Sequence, residues 1–209
     1  MVSLLHQVMH AVAIKRNGGA DSISSISGLN LESVIKTLND GVSLGRLVKI
    51  DDTFLLSPAG RMILDSEYSR FCDEIRSQGQ FLDAYEKFEI INKELKQLIT
   101  DWQTIKVGDQ IIPNDHSDAE YDEKIIDKLG VIHEKFEPVL AIMVESIGRF
   151  ANYNAKLIKA LEKSEDGELE WVSDAKLDSY HTVWFELHED LLRLHSLHGP
   201  NGILDFEET

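Results

Sequence analysis

Ile23-Ser24-Ser25-Ile26-Ser27-Gly28-Leu29-Asn30-Leu31-Glu32-Ser33-Val34-Ile35-Lys36-Thr37-Leu38 reads as two helices separated by a tight turn. Ile23 and Ile26 give the first a buried side, and Asp21 or Ser22 is placed to cap it. Gly28 turns the chain. Asn30 caps the second helix, whose Leu31, Val34, Ile35 and Leu38 recur at helical spacing and are predicted to face inward. Upstream, residues 2–16 form one amphipathic helix through Leu4, Leu5, Val8, Met9 and Val12, stopped by Asn17-Gly18-Gly19. Downstream come two short β-type runs, Arg46 to Ile50 and Thr53 to Leu56, joined by Asp51-Asp52. Ser57 then caps a helix with Pro58 at its first position, where a missing N–H costs nothing. That helix continues through Met62, Ile63, Tyr68, Phe71, Cys72 and Ile75, and connects the first 65 residues to the rest.

The spacing Ile23-x-x-Ile26-x-Gly28-Leu29-x-Leu31-x-x-Val34, then Leu38-x-x-Gly41, Gly45-Arg46-Leu47-Val48 and Phe54-x-Leu56-Ser57-Pro58-Ala59-Gly60, resembles a bacterial winged helix-turn-helix of the MarR-like kind. The resemblance covers about the first third of the chain. It implies a homodimer whose third helix enters the major groove, with Asn30, Ser33, Lys36 and Thr37 at base edges and Lys49 on the wing. Asp51 and Asp52 occupy the wing tip, where that family usually presents an arginine, and Glu32 and Asp40 accompany Lys36. Phosphate neutralisation supplies most non-specific affinity, so a neutral module with an acidic wing binds DNA poorly as a monomer. Two expectations follow: DNA reading by a dimer, or a winged helix kept for protein contacts or as a dimer platform.

The whole chain has 209 residues, is 43% hydrophobic and carries a net charge of −16. That is enough apolar content for one large or two small domains. Residues 1–65 hold six of the 21 Lys/Arg and six of the 37 Asp/Glu, so the acidity belongs to residues 66–209. Such a surface repels nucleic acid and anionic membranes, which confines any DNA contact to the first 65 residues. No apolar run is long enough to span a membrane, the first residues lack a leader pattern, and Cys72 is the single cysteine. A cytoplasmic protein without disulfides is expected.

After Gly79 a helix runs to Trp102 with Phe81, Tyr85, Phe88, Asn92, Leu95, Ile99 and Trp102 at heptad spacing. A loop of about fifteen residues, Gln103 to Ser117, is long for a bundle. The next helix, from Asp118, turns Tyr121, Ile125, Leu129, Ile132, Phe136, Leu140 and Met143 inward with His133 beside them; another covers Phe150 to Leu161. In the last, Tyr180 to His195, the apolar face carries His181, His188 and His195, with Glu186, Glu189, Asp190 and Arg193 opposite. At a rise of ~1.5 Å per residue, histidines seven apart are too distant to share one metal ion. The expected fold class is mainly α: a winged helix-turn-helix (1–65) followed by an acidic bundle of about five helices (66–209).

Asn92, Trp102, His133, Tyr180, His181, Trp184 and His188 interrupt or wall the apolar faces of that bundle. Polar groups converging in an apolar cavity are the usual design of a small-molecule site, and equally of a core with satisfied polar residues. Asp115 and His116, with His133 and His181, are the candidates for a divalent metal, the one cofactor considered. A phosphate-cradling loop, a nucleophile elbow, His-Glu-x-x-His and paired cysteines are all missing, so no catalytic residue is assigned. The leading expectation is a ligand-responsive DNA-binding transcriptional regulator that senses a small molecule in the bundle. An accessory protein docking a partner enzyme and a small metal-dependent helical enzyme are the alternatives. Asp101-Trp102-Gln103, Asn114-Asp115-His116 and the Tyr180 stretch resemble an uncharacterised helical domain that follows winged helices in other bacterial proteins, to which no activity attaches.

Overall fold

Periodicity carries over into a mainly helical chain: the computed structural model, which describes residues 3–71 and 77–195, has nine helices and two antiparallel hairpins among those residues. Cys72 and Ile75, expected in a core, and the Gly199-Pro200-Asn201-Gly202 segment lie outside the described residues. The described residues up to 78, together with 188–195, form one compact unit, and residues 79–187 form a second.

In the first unit, α1 (Leu4–Lys15), α2 (Ala20–Ser27) and α3 (Leu31–Ser43) precede the hairpin β1 (Leu47–Ile50) and β2 (Thr53–Leu56), and α4 (Pro58–Phe71) follows. Gly28 takes a left-handed φ of 71° at the α2–α3 turn, a conformation glycine reaches without a Cβ penalty. Asn30 caps α3 by accepting from the Ser33 amide at 2.9 Å, as expected. Gly19, rather than Asp21 or Ser22, occupies the α2 cap position. Ser57 caps α4: its hydroxyl accepts from the Gly60 amide at 2.9 Å and donates to the Gly45 carbonyl at 2.7 Å. Gly60 is required there, because a Cβ would overlap the Arg46 carbonyl oxygen. Val8, Met9, Ile23, Ile26, Val34, Leu38 and Leu64 close the core. Leu31 and Ile35 depart from the expected inner face. The inward side of α3 is Val34, Thr37, Leu38 and Gly41, which leaves Leu31 40% and Ile35 45% exposed.

The second unit is built on α5 (Gly79–Gln103) and α6 (Ala119–Ser146), packed along each other. A single 3₁₀ turn, Gly148–Phe150, leads to α7 (Ala151–Glu165), the one-turn α8 (Glu170–Ser173) and α9 (Tyr180–His195), of which the residues up to 187 belong to this unit and the rest to the first. The expected loop after Trp102 is instead a hairpin, β3 (Thr104–Val107) with β4 (Gln110–Pro113), pairing Ile105 with Ile112 and Val107 with Gln110. Strand segments of four residues carry too little alternation to announce themselves in sequence. The side of α9 expected to face solvent is buried. Glu186 and Glu189 are each 3% exposed and Asp190 is fully enclosed, so this helix is covered nearly all round and its acids rely on ionic partners.

Candidate functional site

Four groups of side chains carry chemistry, and each is built by a different part of the chain. On the outward side of α3, Lys36 is exposed and Ser33 half-buried, while Thr37 turns inward and its hydroxyl bonds the Ser33 carbonyl at 2.7 Å. The Asn30 side chain is committed to its cap. Lys49 lies opposite Phe54 in the hairpin, with its ammonium 5.6 Å from that ring's centroid, and Asp51 and Asp52 are exposed at the tip. Of the five residues proposed to touch DNA, only Lys36 and Lys49 therefore offer an exposed cation.

The bundle residues expected to share a pocket divide into closed pairs. Trp184 donates its indole N–H to Asn92 Oδ1 at 3.0 Å, and both are buried. His133 Nδ1 lies 3.1 Å from the Tyr180 hydroxyl, and its Nε2 faces Glu137 at 3.9 Å. Burial pushes His133 down from the usual histidine value and Tyr180 up from the usual phenol value, so both are neutral at pH 7. Phe88 and Phe136 pack against Trp184, with ring centroids 5.1 and 4.6 Å away, and Tyr180 stacks on it at 6.1 Å. This is an aromatic core with its polar atoms satisfied. His181 is half-buried and likewise pushed down by desolvation. His188 belongs to the other unit, and Trp102 packs elsewhere, on His116.

The third group centres on His116, in the connection between β4 and α6. Asp122, in the first turn of α6 and 4% exposed at its side chain, places Oδ2 at 3.0 Å from His116 Nδ1 and Oδ1 at 3.0 Å from Asn114 Nδ2. Asn114 also donates to the Trp102 carbonyl at 3.1 Å, and its Oδ1 accepts from the His116 amide at 3.1 Å. The Trp102 ring covers one side of the imidazole, with centroids 4.4 Å apart. His116 itself adopts a left-handed φ of 58°. Asp115 points elsewhere. Its carboxylate accepts from the Ser117 amide and hydroxyl at 3.1 and 2.7 Å, bonds that hold it below the usual carboxylate range. Among the described residues no three His, Cys, Asp or Glu side chains stand together in a metal-holding group.

His6 and His10 were not singled out in the sequence. His10 Nε2 meets the enclosed Asp190 at 2.9 Å and Nδ1 meets the Tyr68 hydroxyl at 2.6 Å, while His6 Nδ1 meets Glu67 at 2.8 Å. Beside them Glu189 contacts Arg193 at 3.3 Å and Arg16 at 3.7 Å. The available signal was a pair of histidines four apart within an otherwise apolar helix, which places both on one face.

No known protein family is matched by this chain, and neither a curated protein nor a solved structure is significantly similar to it.

Proposed function

We propose that this is an interaction protein in which a winged-helix arrangement docks a protein partner through α3 and the β1–β2 hairpin. The observation that carries the reading is the outward side of α3, where Leu31 and Ile35 are 40% and 45% exposed beside Glu32. The hairpin adds Val48 and Ile50, 43% and 54% exposed, next to an acidic tip. Apolar anchors with an acidic rim complement a protein surface with basic edges, whereas a phosphate backbone calls for cations along the whole contact.

DNA reading with ligand control in the bundle is the second reading, favoured by the order helix, helix-turn-helix, hairpin and by the Asn30-capped α3. One pair of measurements separates the two. Fluorescence anisotropy against duplex DNA over a salt series is expected to give weak affinity that the Lys36→Glu variant leaves nearly unchanged. Cross-linking to native partners is expected to yield one stoichiometric complex that Ile35→Asp abolishes. Tight, salt-sensitive DNA binding lost in Lys36→Glu and kept in Ile35→Asp would replace the docking reading with the regulator.

A further inference from the structure

We propose that His116 is a nucleophilic imidazole that takes an acyl group at Nε2 from a neutral, apolar, activated acyl donor. The geometry around it assigns the proton. Asn114 is fixed in orientation because its Oδ1 accepts from the His116 amide, so its Nδ2 is the donor end. The two hydrogens of Nδ2 go to the Trp102 carbonyl and to Asp122 Oδ1. None is left for His116 Nδ1, 3.3 Å away, so Nδ1 carries its own hydrogen and donates it to Asp122 Oδ2. In the neutral ring the lone pair is then on Nε2, on a side chain 31% exposed and with no bond from Nε2 among the described residues. A buried carboxylate on one ring nitrogen and an open lone pair on the other is the arrangement that orients a histidine for nucleophilic work. The left-handed backbone at His116 is an uncommon conformation that this bond network holds in place.

The surroundings select the donor. Asp115, Asp118, Glu120 and Asp122 lie within six residues of His116, and such a field disfavours anionic phosphoryl donors while leaving neutral carbonyl compounds unpenalised. Ile111 and Ile112, on opposite faces of the strand that leads into this connection, are 74% and 40% exposed, so either face offers an apolar donor one isoleucine to rest on. In the step, Nε2 attacks the carbonyl carbon, the N–C bond forms as the bond to the alkoxide or phenolate breaks, and the leaving group departs with the electron pair. Asp122 acts as a positioning residue that steadies the positive ring. Water then cleaves the acyl-imidazolium, releasing the carboxylic acid and restoring the neutral imidazole, and the proton set free goes to the departed alkoxide or phenolate.

The test uses the full chain with p-nitrophenyl acetate and p-nitrophenyl butyrate. Phenolate release is expected to exceed that of His116→Gln by about a hundredfold or more, the low end of what a positioned acid–base group gives. The butyrate should be favoured over the acetate by more than it is with free imidazole. A quenched reaction should carry its acyl adduct at His116 in preference to the other seven histidines. In 15N spectra, wild type should show the Nδ1–H tautomer at His116, and Asp122→Asn should shift it toward a mixture while slowing release. Equal rates in wild type and His116→Gln would overturn the proposal, as would an adduct spread evenly over the histidines. Preferential labelling of His116 by phosphoramidate over the esters would overturn the assignment of a neutral donor.

Discussion

Replacing Asn92 by leucine tests whether the second unit depends on its one buried indole bond. Leucine has the same branched skeleton as asparagine, so the rings of Phe88, Phe136 and Trp184 have only the extra bulk of two methyl groups to accommodate. What changes is that the Trp184 N–H, on a side chain 3% exposed, loses the Oδ1 acceptor at 3.0 Å and water cannot replace it. A buried donor left without a partner costs about 2 kcal/mol. For a unit of this size such a loss lowers the melting temperature by about 10 °C. The assay is thermal unfolding followed by near-ultraviolet circular dichroism, which reports the packing around Trp184, for Asn92→Leu, Trp184→Phe and the double variant. Each single change strands one partner, whereas the double change removes both. The double variant should therefore be more stable than the sum of the singles by about 1 kcal/mol or more. Additive losses, or an Asn92→Leu protein that melts with wild type, would refute the claim that this pair is closed and buried.

The two histidines held low by desolvation make stability depend on acid. A folded value below the unfolded one, as at His133 and His181, means that the unfolded chain binds protons first as pH falls. Their contribution is intact above the ordinary histidine value near 6.5 and is lost below it. The midpoint of urea unfolding should accordingly fall between pH 7.5 and pH 5.5, with a shallower slope in His133→Gln; identical slopes would count against a desolvated His133. Gly60→Ala should destabilise the first unit by about 1–3 kcal/mol through overlap with the Arg46 carbonyl, read as faster amide exchange across β1, β2 and the start of α4. Unchanged exchange there would mean that the backbones do not approach so closely.

Which of these features could be read without coordinates depended on whether they were local. Asn30 as a cap, Pro58 at the start of α4 and Gly28 at a left-handed turn are local demands of backbone geometry, and each stands where the sequence placed it. The facing of α3 was half legible, since Leu31 and Val34 lie on neighbouring sides of a helix and only the partner helices decide which is covered. The last helix departs further from its sequence pattern. Glu189 and Asp190 have the residue types of a solvated face, yet they are enclosed because His10, Arg16 and Arg193 meet them, and His10 is 180 residues away in the chain. The histidine partners were equally out of reach. His133 answers to Tyr180, 47 positions on, whereas His116 answers to Asp122, six positions on and within reach of local chain geometry.

The β3–β4 hairpin has a colloidal consequence. As a two-stranded ribbon it keeps both edges open, with Val107 57% and Ile111 74% exposed along them, the kind of template on which identical chains stack. The counterweight is the net charge of −16, which makes copies repel before their edges meet. That repulsion reaches only about 10 Å in 0.1 M salt and about 3 Å in 1 M. Dilute buffer thus keeps the chains dispersed, and concentrated salt is the condition under which light scattering should rise, first in wild type and later, or not at all, in Ile111→Lys.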